Sequence, residues 1–154
     1  MYLYLLFIFI LFICLSAFFS GSETAFLNLK KNNKKIPSEI LAFSQQTKRL
    51  LIGLLFGNTI VNISIAFLGA YFIHGIEQSS TNSTSIAFLR FIEIISVSLL
   101  LLIFGEVIPK VFAIRNSLKF AQAVYLPLKF IFILLKPIIF IFDKIVELFQ
   151  GILS

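Results

Sequence analysis

Long apolar runs separated by short polar loops organise this chain. Tyr2 to Phe19 is apolar apart from Ser16 and a few mild positions, and the run continues with polar insertions to Leu29. A second run spans Leu50 to Ile73, and a third begins at Ile86 and reaches Phe104. Such lengths match the ~20 residues an α-helix needs to cross a ~30 Å hydrocarbon core. At ~1.5 Å per residue the first segment measures about 40 Å, so it must tilt, bend or project. Gly21, between two serines, is the expected bend. The pattern predicts an all-α integral membrane protein with three transmembrane helices, over about 2–29, 50–73 and 86–108.

The loops orient these spans. Lys30-Lys31-Asn32-Asn33-Lys34-Lys35 leads into Pro37 to Arg49, a stretch with six bases and one acid, Glu39. Pro37 suits a first helical position. Ile40, Leu41, Phe43 and Ser44 then give a short, weakly amphipathic cytoplasmic helix over about 37–48. The loop from His74 to Ser85 has no Lys or Arg, whereas Arg115 and Lys119 follow the third span. The positive-inside rule therefore places the N-terminus outside and the C-terminus in the cytoplasm. No base precedes the first run, so it reads as a retained span rather than a secretory leader. Asn82-Ser83-Thr84 matches a glycosylation sequon, a short match that decides nothing. Arg90 and Glu93 stand one turn apart near the outer end of the third span.

Ala121 to Phe142 is long enough for a fourth span but contains Lys129, Lys136, Pro127 and Pro137. Gln122, Lys129, Lys136, Asp143 and Gln150 recur every seventh residue, which draws a narrow polar stripe on one helix face. These features predict juxtamembrane helices over about 115–150, jointed at the prolines. They would form a belt in the cytoplasmic interface with bases toward lipid headgroups.

Composition narrows the class further. A 59% hydrophobic content with 20 Phe exceeds what a small soluble core can bury. The net charge of +6 comes from bases beside the spans, where they set topology and touch anionic lipid, so nucleic acid is not the expected partner. Cys14 is the single cysteine, and no intrachain disulfide is possible. No phosphate-binding Gly-x-x-x-x-Gly-Lys loop occurs. A Ser–His–acid triad would need His74, on the wrong side from Ser20 and Ser22. Enzymatic chemistry is not expected.

The candidate chemistry lies inside the spans. Ser20, Ser22 and Glu23 interrupt the first, Asn58 and Asn62 the second, and Glu106 precedes Pro109 in the third. A carboxylate in a membrane segment costs roughly 3 kcal/mol or more and usually faces a bundle interior or watery cavity. Carboxylate, amide, hydroxyl and carbonyl oxygens are the donors of hard cations such as magnesium, and sodium can use the same set. Each residue also has an ordinary reading. Glu106 and Lys110 are spaced as a helix ion pair. The asparagines can join helices, and the serines can bond to their own helix. Only their combination on three spans favours a cation site.

Three motifs carry a resemblance. Phe19-Ser20-Gly21-Ser22-Glu23-Thr24-Ala25, Gly57-Asn58-Thr59-Ile60-Val61-Asn62 and Phe104-Gly105-Glu106-Val107-Ile108-Pro109-Lys110 resemble, in order and spacing, the transmembrane domain of the cyclin M / CorC magnesium-transporter family. The resemblance implies a homodimer in the plasma membrane (the inner membrane of a bacterium). It also implies magnesium efflux coupled to sodium entry, with an ion site on Ser20, Ser22, Asn58, Asn62 and Glu106; Glu23 lies within the motif. Relatives usually continue into nucleotide-binding cystathionine-beta-synthase modules, which these residues do not include. A membrane-anchored cation sensor or adaptor without transport is the alternative of a different class.

Overall fold

The computed structural model describes residues 2–29, 36–77 and 83–153, and these are almost entirely helical. The basic run 30–35, Asn82 of the sequon and the side chain of Gln150 lie outside the described parts. Helix α1 is Tyr2–Leu29, α2 is Ser38–Gln45 and α3 is Thr47–Glu77. Helix α4, Ser83–Leu100, runs through a π-helical segment, Leu101–Val107, into α5, Ile108–Arg115. Helix α6 is Ser117–Leu153. Among the described residues, four stretches are long and apolar enough to cross a membrane: Leu3–Leu29, Lys48–Phe72, Ile86–Arg115 and Ser117–Val146.

The C-terminal half of α1 is the hub. Ser16, Phe19, Ser20, Ser22, Ala25, Phe26 and Leu29 are buried, whereas Leu3, Tyr4, Phe7 and Leu11 near its start are exposed. A helix greasy on all sides is suited to lipid, so exposed apolar side chains on its N-terminal half carry no penalty there. In α3, Leu50, Gly53, Leu54, Gly57, Val61 and Ile65 form one buried face at three- and four-residue spacing. Where small residues occur on that face, neighbouring rings move in. A Cβ on Gly57 would lie 2.5 Å from the Phe19 ring, and one on Gly53 would lie 2.6 Å from Phe132. Both glycines thus serve contacts within the chain.

Residues that weaken helices are carried within them. At Gly21, the expected bend, α1 continues as one helix, and the missing side chain admits Phe120 of α6, 2.5 Å from where a Cβ would stand. The third segment stays helical at Pro109. The backbone widens into the π register just before it, and Ile108 N–H donates to Ile103 C=O, five residues back. Finally, the belt is not jointed at its prolines, because α6 is one helix with Pro127 and Pro137 inside it. The carbonyls these prolines leave without a donor belong to Ala123 and Ile133, both on exposed positions.

α6 buries Ser117, Ala121, Val124, Leu128, Ile139 and Asp143 on one face. Phe132 and Ile139 both close on Gly53, Phe142 meets Phe56 in a tilted contact at 5.5 Å, and Asp143 reaches Arg49. From Phe132 to Asp143 is ~16 Å of helix, yet the contacts show no steady progression along α3. α6 therefore lies across α3 and does not run alongside it. Phe43 of α2 fixes this crossing, with edge contacts to Phe26 of α1 and to Tyr125 and Phe132 of α6 at 5.6, 5.6 and 5.5 Å. At the α5 terminus, Asn28 Nδ2 donates to Ile114 C=O at 3.1 Å, which satisfies a carbonyl at the helix end.

Candidate functional site

A chain of polar groups crosses the three principal helices. Ser16 Oγ of α1 donates to Asn62 Oδ1 of α3 at 2.8 Å and stands 3.3 Å from Asn58 Oδ1, so its one proton is shared between two acceptors on the same α3 face. Asn62 Nδ2 then donates to Glu106 Oε1 in the π-helical segment at 3.4 Å. Ser16 is fully buried, and Asn58, Asn62 and Glu106 are half-buried.

Local sequence makes this meeting possible. Asn58 and Asn62 are four residues apart and stack on one side of α3. Gly105 lets the third segment close on α1: a Cβ there would lie 2.8 Å from Ser16 Oγ. The π register turns Glu106 beside Gly105, and such bulges occur frequently at functional sites. Pro109 adds to this, because it has no N–H to offer the carbonyl of Phe104 or Gly105. An oxygen with a free lone pair therefore accompanies the carboxylate.

The sequence-derived candidates divide into groups. Asn58, Asn62 and Glu106 are brought together. Ser20 lies one turn from Ser16 on the same side of α1; its Oγ is fully buried with no hydrogen-bond partner among the described residues. Ser22 is also buried, but it donates to Phe18 C=O of its own helix at 2.6 Å. Glu23, half-buried, joins the cluster through no hydrogen bond among the described residues. Ser16 was missed: it read as a mild interruption of the first apolar run. Its signal was its position four residues before Ser20, which extends the polar face of α1 by one turn.

Depth follows from the helix rise. Asn58 lies ~14 Å and Asn62 ~20 Å from Arg49, and Ser16 lies ~20 Å from Leu29. Ser16 and Asn62 thus stand at the same rise from the adjoining helix ends, well inside segments of membrane-spanning length. The bond to Asn62 carries Glu106 to the same level. Glu106 makes no ion pair with Lys110. Among the described residues no three His, Cys, Asp or Glu side chains gather as a metal cage. The donor set is one carboxylate with hydroxyl, amide and carbonyl oxygens, which suits a hard cation held loosely with part of its water.

An all-helical integral membrane protein with a polar cluster joining its helices is the class these observations define. The chain belongs to the family of cyclin M (CNNM) transmembrane N-terminal domains, whose family model matches residues 7–154. That family is associated with magnesium transport, and the domain is not of a known enzyme family. No curated protein sequence matches the chain.

Proposed function

We propose that this domain moves Mg²⁺ out of the cytoplasm through the Ser16–Asn58–Asn62–Glu106 cluster, with sodium entry as the driving process. The observation that supports this reading is the hydrogen-bond chain across α1, α3 and the π-helical segment. Glu106 supplies the charge. Ser16, Ser20, Asn58 and Asn62 supply neutral oxygens, and the orphaned Ser20 Oγ provides a donor with nothing else to satisfy it. The 3.4 Å Asn62–Glu106 contact is long for a hydrogen bond, so an entering cation displaces it at little cost. Sodium would drive export by binding one state of the domain better than the other, since only differential affinity shifts such an equilibrium.

The same reading takes α1, α3 and the α4–α5 rod as three spans, with the N-terminus outside, and α6 as an interfacial belt in the plasma membrane. The crossing of α6 over α3 supports it, as do Pro127 and Pro137, whose missing N–H groups leave the Ala123 and Ile133 carbonyls a donor short, a gap that water fills more readily than lipid. A homodimer completes the proposal. The clefts at Gly53 and Gly57 are filled by Phe132 and Phe19 of the same chain. Phe88, Phe91, Ile95 and Leu99 form one exposed apolar row on α4 that a second copy could cover.

Purified protein in liposomes with an entrapped magnesium dye provides the test. Magnesium movement that follows an imposed sodium gradient and is lost in Glu106→Gln supports transport. Saturable magnesium binding with no flux would instead make the domain a sensor or adaptor.

A further inference from the structure

Two grooves of roughly 640 and 270 Å³ meet along the outer side of α6, where it crosses the start of α3. Their walls are apolar, chiefly Phe132, Ile133, Ile139 and Phe140. Three cations stand among them: Arg49 from α3 and Lys129 and Lys136 from α6. Lys129, Ile133, Lys136 and Phe140 follow one another at i, i+4, i+7 and i+11, so charge and grease alternate along one face. Neither lysine forms an ion pair among the described residues. Lys129 Nζ lies 5.9 Å from the centre of the Tyr125 ring. Arg49 uses its Nε on Asp143 Oδ2 at 2.8 Å, which leaves its two terminal nitrogens for another acceptor. Asp143 also meets Lys48 at 3.3 Å. One carboxylate thus faces two bases at this corner, and the groove remains cationic.

From this we infer that the groove is a binding site for one anionic phospholipid, its phosphate held by Arg49, Lys129 and Lys136 and an acyl chain lying along Ile133 and Phe140. The inference rests on the interfacial placement of α6 proposed above. It does not depend on the magnesium site. Charge complementarity selects the occupant: apolar walls under a cluster of bases at a membrane boundary match a molecule that is anionic at one end and hydrocarbon at the other. Free phosphate would leave the apolar walls uncovered. A zwitterionic lipid would bring its own cation against the three bases.

The test uses the full chain in mild detergent, with phosphatidylglycerol or phosphatidylcholine added and retained lipid counted by native mass spectrometry. The wild type should hold one phosphatidylglycerol in preference to phosphatidylcholine, and millimolar inorganic phosphate should not displace it. Lys129→Gln with Lys136→Gln should weaken retention about 25-fold, at roughly fivefold for each base near an anionic surface. Ile133→Trp fills the groove without changing charge, and Ile133 is 66% exposed, so the fold tolerates the larger ring. It should also lose the lipid while its circular dichroism stays that of the wild type. Wild-type retention by Ile133→Trp would make the attraction diffuse and overturn the site. Equal retention of both lipids, displacement by phosphate, or absence of lipid because a second copy covers the groove would overturn it as well.

Discussion

Replacing Glu106 by Gln tests the site with little change in shape. Gln keeps an oxygen that accepts from Asn62 Nδ2, so the hydrogen-bond chain of Ser16, Asn62 and residue 106 is retained and only the charge is removed. A unit charge pair about 4 Å apart is worth about 4 kcal/mol at an effective dielectric of 20, so a dication there draws about 8 kcal/mol from the carboxylate. A third of that, about 2.7 kcal/mol, is a hundredfold in affinity. At a magnesium concentration 100 times the wild-type dissociation constant, ligand linkage stabilises the wild type by about 2.7 kcal/mol. For a chain of this size that corresponds to a rise in Tm of roughly 5–10 °C. In Glu106→Gln the same concentration only equals the dissociation constant, and the rise shrinks to about 1 °C. Thermal unfolding in detergent, with and without magnesium, reads both values. If Glu106→Gln keeps the full magnesium-dependent shift, the carboxylate is not a ligand and the cluster has no charged centre for a cation. Lys110→Gln is the companion control: since Lys110 does not pair with Glu106, its magnesium response should match that of the wild type.

Further outcomes follow from the same contacts. Ser16→Ala strands Asn62 Oδ1, and should cost about 1–2 kcal/mol of stability and weaken the magnesium-dependent Tm shift, both measurable in one thermal series. Gly105→Ala leaves every proposed donor in place but drives a methyl 2.8 Å from Ser16 Oγ, so liposome flux should fall although no ligand has changed. Gly57→Ala puts a methyl 2.5 Å from the Phe19 ring, and overpacking of about 1–3 kcal/mol should lower Tm with or without magnesium. Lys119→Cys and Lys144→Cys, each made in a Cys14→Ser background, should react with a membrane-impermeant maleimide from the same side of the bilayer. Labelling from opposite sides would make α6 a fourth span.

The sequence by itself determined the class of this protein and most of its polar inventory. Runs as greasy as Tyr2 to Phe19 and Leu50 to Ile73 have one favourable solvent, and in that solvent one segment satisfies its own backbone groups only as helix. Asn58, Asn62 and Glu106 were legible for the same reason, since a polar group in such a run needs a partner. The tertiary structure alone decided which partners they take. Ser16 resembles any mild interruption until Gly105 and the asparagines arrive beside it from helices more than forty residues away. Ser22 has the same local credentials as Ser20, and only the coordinates show one hydroxyl bonded to Phe18 and the other left alone. Pro127 and Pro137 do not divide the belt, because packing outweighs their local tendency to break a helix. Phe120 fills the space at Gly21, the π register absorbs Pro109, and α6 continues past its prolines because its buried face is held by α1, α2 and α3. Periodicity and solvent preference act along one chain segment, whereas a site is formed by distances between segments, and those are fixed only when the helices pack.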